Sequence, residues 1–100
     1  MSILSELFGD CPQLKVLETF IENPNDKQFI ADISRITGIN TITVTNHINK
    51  LLLESVIEKK DKAGRVQFYQ LNMDNQKVKI IMLLENYIVS EKLDELLKEK

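Results

Sequence analysis

The chain has 100 residues, of which 43% are hydrophobic and 28% are charged, and its formal net charge is -2. This length predicts one domain with a single modest core, and the slightly negative charge argues against a nucleic-acid binder that works by charge alone. No apolar run approaches the ~20 residues of a membrane span and no secretory leader is recognisable, so we expect a cytoplasmic protein with no membrane partner.

The first third of the chain predicts a short helix and then a longer one. An apolar pattern over residues 2–8 is ended by Gly9. Pro12 suits the first turn of the second helix, in which apolar residues recur at helical spacing until Asn23-Pro24 closes it. Gln28–Phe29 is then either a short strand or an extended entry into the next helix.

The central segment Ile30–Leu52 predicts two short helices joined by a tight turn. The first spans Ile30–Thr37, and Gly38 supplies the backbone freedom that the turn requires. Asn40 is a suitable N-cap for a second helix that runs to about Glu54. Val44, Ile48 and Leu51 form its apolar side, whereas its other side is neutral and rich in hydrogen-bonding groups.

A hairpin and a long helix follow. Val56–Asp61 and Arg65–Leu71 predict paired strands around a turn at Asp61–Gly64. Asn72 is a suitable cap for a final helix that begins near Asp74. From Val78 to Val89, apolar residues occupy nearly every side of that helix, which is more than one domain of this size needs to cover.

Charge is unevenly distributed along the chain. Residues 31–65 carry six basic and four acidic groups, a local excess of +2, so the remainder carries -4. This distribution indicates a weakly basic central face between acidic flanks. Salt limits the distance over which the field of such a small excess charge acts.

The order of elements, and the residues that fill it, resemble the winged helix-turn-helix domain of small bacterial and archaeal transcription regulators, such as the MarR-like and ArsR-like groups. The residues that carry this resemblance are DISRITGIN at 32–40, TVTNHI at 43–48 and Leu51. The resemblance covers roughly Leu14–Leu71. It implies a mainly helical fold with a small β-hairpin, with the winged domain over 1–73 and a long C-terminal dimerisation helix over 74–100.

One residue departs from that pattern. Ser55 stands where such domains usually have a glycine before two apolar residues. We therefore expect the exit from the second helix to be looser or longer than usual.

The resemblance also implies a function, namely sequence-specific binding of double-stranded DNA by a transcription regulator. In that family the second helix, here about 40–54, lies in the major groove, and the hairpin, here about 57–71, contacts the flanking backbone or minor groove. The residues implied to contact bases are Asn40, Thr41, Ile42, Thr45, Asn46 and Asn49, and those implied to contact the backbone, directly or through the wing, are Arg35, Thr43, Lys50, Lys60, Lys62 and Arg65. Asparagine pairs bidentately with adenine, and threonine methyls and Ile42 suit thymine methyls, so we expect a site that contains A·T pairs.

The long helix indicates a two-fold homodimer. One of its faces can pack on the domain core while the other needs a partner. The residues predicted at this interface are Ile3, Leu7, Phe8, Val78, Ile81, Leu84, Tyr87 and Ile88. Such a dimer matches pseudo-palindromic sites whose halves lie about 34–36 Å apart.

Other interpretations stay open. A winged helix can serve as a protein-interaction module without binding DNA, since fold does not fix function. The threonine- and asparagine-rich face could be ordinary solvated surface, and Lys59–Lys62, interleaved with acids, an ordinary charged hairpin. His47 is interpreted as a partly buried packing or hydrogen-bonding residue. Cys11, the single cysteine, is the sole sequence feature for a regulator that senses redox state or a small ligand.

Catalysis has little support in the sequence. It contains no Cys/His pair with an orienting group, no cluster of metal ligands and no glycine-rich phosphate loop. We therefore expect no enzyme activity, no cofactor and no metal, and the sequence identifies no effector.

Overall fold

The computed structural model describes residues 7–9 and 11–98, so the predicted interface residue Ile3 and most of the predicted N-terminal helix lie outside the described residues. Within them, four helices and one hairpin follow in the order α1 Pro12–Glu22, α2 Ile30–Thr37, α3 Thr41–Leu53, β1 Ile57–Ala63, β2 Val66–Leu71 and α4 Gln76–Lys98. The expected fold class is confirmed: it is mainly helical, with a small hairpin and a long C-terminal helix.

The core draws residues from every one of these elements. It consists of Val16, Phe20, Ile21, Ile33, Val44, Ile48, Leu51, Val56, Ile57, Tyr69, Leu71 and Val78. Val78 is 1% exposed, so its predicted position at a dimer interface is corrected: it anchors the start of α4 to the protomer's own core.

Pro12 begins α1 as predicted, in the first turn where a missing N–H costs no helical hydrogen bond. The helix ends at Glu22, just before Asn23-Pro24. Its inward residues Val16, Phe20 and Ile21 are almost completely buried, so this helix forms one wall of the core.

The hairpin, which we call the wing, turns later than predicted. Ala63 is paired with Val66, so the turn consists of Gly64 and Arg65 and not of Asp61–Gly64. Gly64 has φ +62, and a two-residue hairpin turn of this kind favours glycine at its first position because φ is positive there. Lys62 therefore lies within β1, and Arg65 lies at the tip.

A β-bulge interrupts the wing. Lys59 pairs with Tyr69, but the next pair is Lys62 with Gln67, so β1 holds one residue more than β2 over this interval. The Gln67 amide nitrogen donates to the backbone oxygens of Lys60, at 2.8 Å, and Phe68, at 2.9 Å. The side chain of Gln67 thus bonds to the backbone of β1 at the bulge.

Gln28 forms a one-residue strand beside β2, which decides between the two sequence interpretations of Gln28–Phe29. Its backbone exchanges two hydrogen bonds with Tyr69, at 2.8 and 2.7 Å, and its side-chain amide donates to the backbone oxygen of Thr19. The Phe29 and Phe68 rings meet edge to face with centroids 5.5 Å apart. The wing is therefore fixed to the loop after α1.

The exit from α3 is tight, which corrects the expectation of a looser or longer one. Ser55 has φ +58, the left-handed conformation that glycine usually adopts at this position. The Ser55 N–H donates to Leu52 and the Val56 N–H to Leu51, both at 3.0 Å, which are the two bonds of a Schellman motif. Serine thus takes the glycine conformation without lengthening the connection.

Asn75, and not Asn72, caps α4. The Asn75 Oδ1 accepts from the backbone N–H of Lys77 at 2.7 Å, whereas the Asn72 Oδ1 accepts from Asp74 at 3.1 Å in the turn before the helix. The side-chain amides of both asparagines donate to the carbonyl of Ser55, at 3.0 and 2.9 Å. The start of α4 is therefore linked to the end of α3.

Among the described residues, no helix combines the length and the apolar character needed to cross a membrane.

Candidate nucleic-acid interface

The turn between α2 and α3 is held by side chains as well as by glycine. Gly38 has φ +75, and its N–H donates to the Ser34 carbonyl at 2.9 Å. The Ser34 hydroxyl donates to the backbone oxygen of Ile39, and the Thr37 hydroxyl to that of Ile33 at 2.7 Å. The angle at which α3 leaves α2 is therefore set by short polar residues that the sequence places around the turn.

The inward side of α3 is buried in the core. Val44 and Ile48 are 0% exposed, and Leu51 is 6% exposed. Of the predicted contact residues on the opposite side, Asn40, Thr41, Ile42, Asn46, Asn49 and Lys50 are exposed, whereas Thr43 and Thr45 are half-buried. The structure thus places the predicted base-contacting residues along one side of a helix whose other side is fixed.

Asn40 is the N-cap of α3, as predicted. Its Oδ1 accepts a hydrogen bond from the Thr43 N–H at 2.9 Å. Bidentate pairing with adenine needs both the oxygen and the nitrogen of an amide. While it caps the helix, the Asn40 oxygen faces the backbone of α3, so we expect bidentate pairing from other asparagines.

Asn46 and Asn49 are those asparagines. Both are exposed, and neither side-chain amide makes a hydrogen bond within the part of the chain that the structure describes. Ile42 lies on the same helix with 75% of its surface exposed, although a residue of this type is usually buried. The Thr45 hydroxyl donates to the Thr41 carbonyl at 2.7 Å, so its donor is already used within the helix. The face of α3 therefore offers two free amides and apolar contact groups.

Two of the six predicted backbone-contacting residues already have partners. Arg35 pairs with Asp32 at 2.5 Å, and Lys60 pairs with Glu58 at 3.1 Å. Such exposed pairs are weak and are screened by salt.

Lys50, Lys62 and Arg65 form no ion pair with any described residue. All three are exposed. Among the predicted backbone-contacting residues, these three are the cations available to an anion.

The negative charge of Asp61 on the wing is balanced by an ion pair. The Lys27 ammonium, 34 residues earlier in the chain, donates a hydrogen bond to its carboxylate. This hydrogen bond and the charge of Lys27 lower the pKa of Asp61 below its ordinary value, against a smaller effect of desolvation, and the charge of Lys60 lowers it slightly further. The ion pair also links the bulged part of β1 to the loop after α1.

A groove of about 380 Å³ lies between the wing and the starts of α2 and α3. Its lining is mostly apolar and comes from Phe29, Ile30, Ala31, Thr41, Arg65, Val66, Gln67 and Tyr69. The first residue of α3 and the tip of the wing thus border the same space, although they are 24 positions apart in the sequence.

The structure sorts the predicted dimer interface into three groups. Tyr87, Leu7 and Phe8 are exposed, by 63%, 57% and 65%, while Ile81, Leu84 and Ile88 are half-buried and pack on the protomer core. Val78 belongs to that core. Ile80 and Leu83, 64% and 69% exposed, lie on the side of α4 that Tyr87 shares and were not predicted, although their spacing from Tyr87 marks one helical face.

His47 is half-buried on α3, as the sequence interpretation expected. Its Nδ1 is buried and has no hydrogen-bond partner among the described residues. No group of three or more histidine, cysteine or acidic residues is arranged to hold a metal ion in the described part of the chain. Cys11 is an exposed free thiol.

Comparison with solved structures finds the same architecture in several transcription regulators. MepR, a transcription regulator of the Staphylococcus aureus multidrug efflux pump MepA, superposes with a TM-score of 0.65 at 19% identity, over 95% of this chain and 69% of MepR. A point mutant of S. aureus MepR bound to an oligodeoxyribonucleotide gives 0.65 at 17% identity, over 96% and 70%. A possible transcriptional regulator from Methanosarcina mazei Go1 gives 0.59 at 19% identity, over 97% and 84%.

At these identities the likeness establishes the fold, which is the winged helix-turn-helix fold that the sequence resemblance predicted. No protein-family model matches the sequence, and no curated protein matches it.

Proposed function

We propose that this protein is a transcription regulator that binds double-stranded DNA sequence-specifically as a homodimer. In this proposal α3 lies in the major groove and the wing contacts the flanking backbone or minor groove. The observation that carries the proposal is the exposed face of α3, where Asn46 and Asn49 present free amides close to Ile42.

Base recognition would come from this face. An asparagine amide can accept from adenine N6 and donate to adenine N7 at once, which is worth about 1–3 kcal/mol of discrimination against a wrong base. Ile42 and the methyl groups of Thr41 and Thr45 would contact thymine methyls. We therefore expect an operator that contains A·T pairs.

Affinity would come from a small number of cations. Lys50, Lys62 and Arg65 have no ion pair with any described residue and are suited to hold phosphates, which fixes the position of the protein without reading sequence. With so few phosphate contacts per protomer, the electrostatic part of the affinity is limited. A second protomer would double it.

The second protomer would dock through α4. Ile80, Leu83 and Tyr87 are each more than half exposed on one face of that helix, and solvent does not stabilise such a surface. A two-fold dimer would place two α3 helices about 34–36 Å apart, one turn of DNA, and so match a pseudo-palindromic site. The winged helix-turn-helix fold, and the oligodeoxyribonucleotide bound by the MepR point mutant, support DNA as the partner. A regulator of this kind would act in the cytoplasm.

An electrophoretic shift with DNA from around the protein's own gene, together with a mass measurement in solution, tests this function. We expect a shifted band that disappears as salt is raised and a mass of twice the 11.6 kDa chain. A dimer that shifts no DNA at low salt would contradict DNA regulation and favour a protein-interaction module.

Selection from random DNA tests the expected base preference separately. Enrichment of half-sites with adenines at the positions facing Asn46 and Asn49 is the expected result. A consensus made of G·C pairs alone would overturn the assignment of these two residues while leaving DNA binding intact.

A further inference from the structure

We propose that the β-bulge of the wing sorts its charged side chains, so that Lys59 and Lys62 contact phosphate while Lys60 does not. This inference rests on the proposed DNA binding and concerns which wing residues carry it. Lys59 was not among the contact residues predicted from sequence, and Lys60 was.

The pairing of the strands shows which face of the wing lies next to α3. Residues directly opposite each other in antiparallel strands have their side chains on the same face. Ile57 lies opposite Leu71, and both belong to the core that also contains Val44 and Ile48 of α3. Lys59, opposite Tyr69, is two residues further along β1 and therefore on this same face, which we call the α3 face.

The bulge brings a second lysine to the α3 face. Strict alternation from Lys59 would place Asp61 there and turn Lys62 away. Because β1 has one extra residue, Lys62 instead lies opposite Gln67, and Gln67 is two residues from Tyr69 on the regular strand β2. The bulge thus exchanges an acid for a base on the side of the wing next to α3.

The position of Gln67 supports this assignment. Gln67 lines the same groove as Thr41, the first residue of α3. Side chains of directly opposed residues lie about 4.5–5.5 Å apart at Cβ, so Lys62 starts close to that groove. Both Lys59 and Lys62 are exposed, and neither has an ion pair with a described residue.

The ion pairs of the wing lie on its other face. Glu58 lies opposite Gln70, and each of the two is next in sequence to residues of the α3 face, so both lie on the other face. Glu58 pairs there with Lys60 at 3.1 Å. Asp61 pairs with Lys27 of the loop after α1. Both acids of the wing therefore form ion pairs on the face turned away from α3. Lys60, the wing lysine on that face, is already paired with Glu58.

Gln67 is the positioning residue of this arrangement. Its amide nitrogen donates to the carbonyls of Lys60, at 2.8 Å, and Phe68, at 2.9 Å, with a longer contact of 3.4 Å to that of Asp61. The bonds to Lys60 and Asp61 join β2 to β1 across the bulge. Without them the extra residue could shift along β1, and the face that presents Lys62 would no longer be fixed.

Salt dependence of DNA binding by three single variants tests the sorting. Each phosphate contact contributes about 0.9 to the slope of log affinity against log salt. In the proposed homodimer each substitution removes two contacts, so we expect Lys59→Ala and Lys62→Ala each to lower the slope by about 1.8, which reduces the loss of affinity between 50 and 200 mM salt by about 12-fold. Lys60→Ala, the matched control within the same strand, should leave the slope unchanged.

The outcomes separate this inference from the proposed function. If the wild-type chain binds DNA and Lys60→Ala lowers the slope as much as Lys62→Ala, the sorting is wrong and DNA binding stands. The same holds if neither Lys59→Ala nor Lys62→Ala changes the slope. If the wild-type chain binds no DNA at 50 mM salt, both proposals are overturned.

Gln67→Leu, with Gln70→Leu as the control on the same strand, tests the positioning role. We expect Gln67→Leu to lower the slope of log affinity against log salt as Lys62→Ala does. The double variant Gln67→Leu/Lys62→Ala should lower it no further, because both changes act on the contact made by Lys62. Circular dichroism confirms that each variant is folded. An unchanged slope in folded Gln67→Leu would overturn the role of Gln67.

Discussion

Ser55 shows how one residue can keep a backbone conformation that its side chain disfavours. A left-handed φ costs a residue with a Cβ about 1–2 kcal/mol, yet the Schellman bonds and two asparagine side chains hold Ser55 there. Comparison with the winged-helix pattern marked this position as unusual. The sequence could not show whether Ser55 would adopt the left-handed conformation of a tight exit or force a longer one. The contacts that hold it, from Asn72 and Asn75, come from a distant part of the chain.

Ser55→Gly should therefore stabilise the protein. We expect the free energy of unfolding to rise by about 0.5–1 kcal/mol, since relief of the left-handed strain exceeds the added freedom of glycine in the unfolded chain. Urea unfolding measures the change. Ser90→Gly, in the middle of α4, is the control and should destabilise by about 0.5 kcal/mol. Equal destabilisation by both substitutions would show that Ser55 is not strained.

Asn40 and Asn46 have the same side chain but different predicted roles. Asn40→Ala removes the cap of α3 and should lower the free energy of unfolding by about 1 kcal/mol. Asn46→Ala removes an exposed amide with no partner among the described residues, so we expect a change within about 0.5 kcal/mol. Thermal unfolding of the two variants under identical conditions distinguishes them, and a larger loss for Asn46→Ala would contradict these roles.

At the level of elements, local signals predicted the turn and caps of the helix-turn-helix well. Gly38 and Asn40 act within three or four residues of themselves, so their sequence context was sufficient. The wing was harder to predict. Its turn lies at Gly64-Arg65, and its bulge depends on Gln67 from the opposite strand, which no local pattern of β1 reveals.

The final helix shows a different limit of sequence patterns. Apolar residues on nearly all sides predicted a partner, but the pattern could not separate the side that packs on the core from the side that stays exposed. The structure assigns Val78 to the core and Ile80 and Leu83 to the exposed side. Packing against the rest of the domain made this choice, and a single helix does not encode it.

Glu85 makes the packing of α4 sensitive to pH. Desolvation by burial, and then the charges of Glu22 and Glu18 on α1, raise the pKa of Glu85 above its ordinary value of 4.5. The folded state therefore holds this proton more tightly than the unfolded chain does. Stability is gained as the pH falls through the interval between the raised value and 4.5, and lost as the pH rises through it.

Glu85→Gln should thus raise the melting temperature at a pH above this interval, where the wild-type carboxylate carries its charge in the folded state, and the gain should vanish once the pH falls well below 4.5. Calorimetry at several pH values measures this difference. Glu91→Gln, an exposed position on the same helix, is the control and should show no such trend. A gain for Glu85→Gln that persists at low pH would show that charge is not its cause.

At the level of the whole molecule, the proposed regulator consists of two protomers. The exposed apolar face of α4, with Ile80, Leu83 and Tyr87, is the surface on which a second copy would dock. Leu83→Glu would bury a charge in such an interface, which a dimer cannot accommodate without large cost. Light scattering should then give the 11.6 kDa mass of one chain, while Asn25→Glu, at an exposed position in the loop after α1, should remain dimeric. A wild-type monomer at tens of micromolar would contradict the dimer.

The division of work between α3 and the lysines is the central claim: amides read the sequence and cations supply affinity. It is tested most directly by the ratio of dissociation constants for a scrambled and a selected DNA duplex, measured for the wild type and for Asn46→Ala. We expect a wild-type ratio of about 10³ or more, and a fall of about 5- to 150-fold for each of the two half-sites in Asn46→Ala, with the affinity for scrambled DNA unchanged. A wild-type ratio near one, or a ratio that Asn46→Ala leaves unchanged, would contradict the claim.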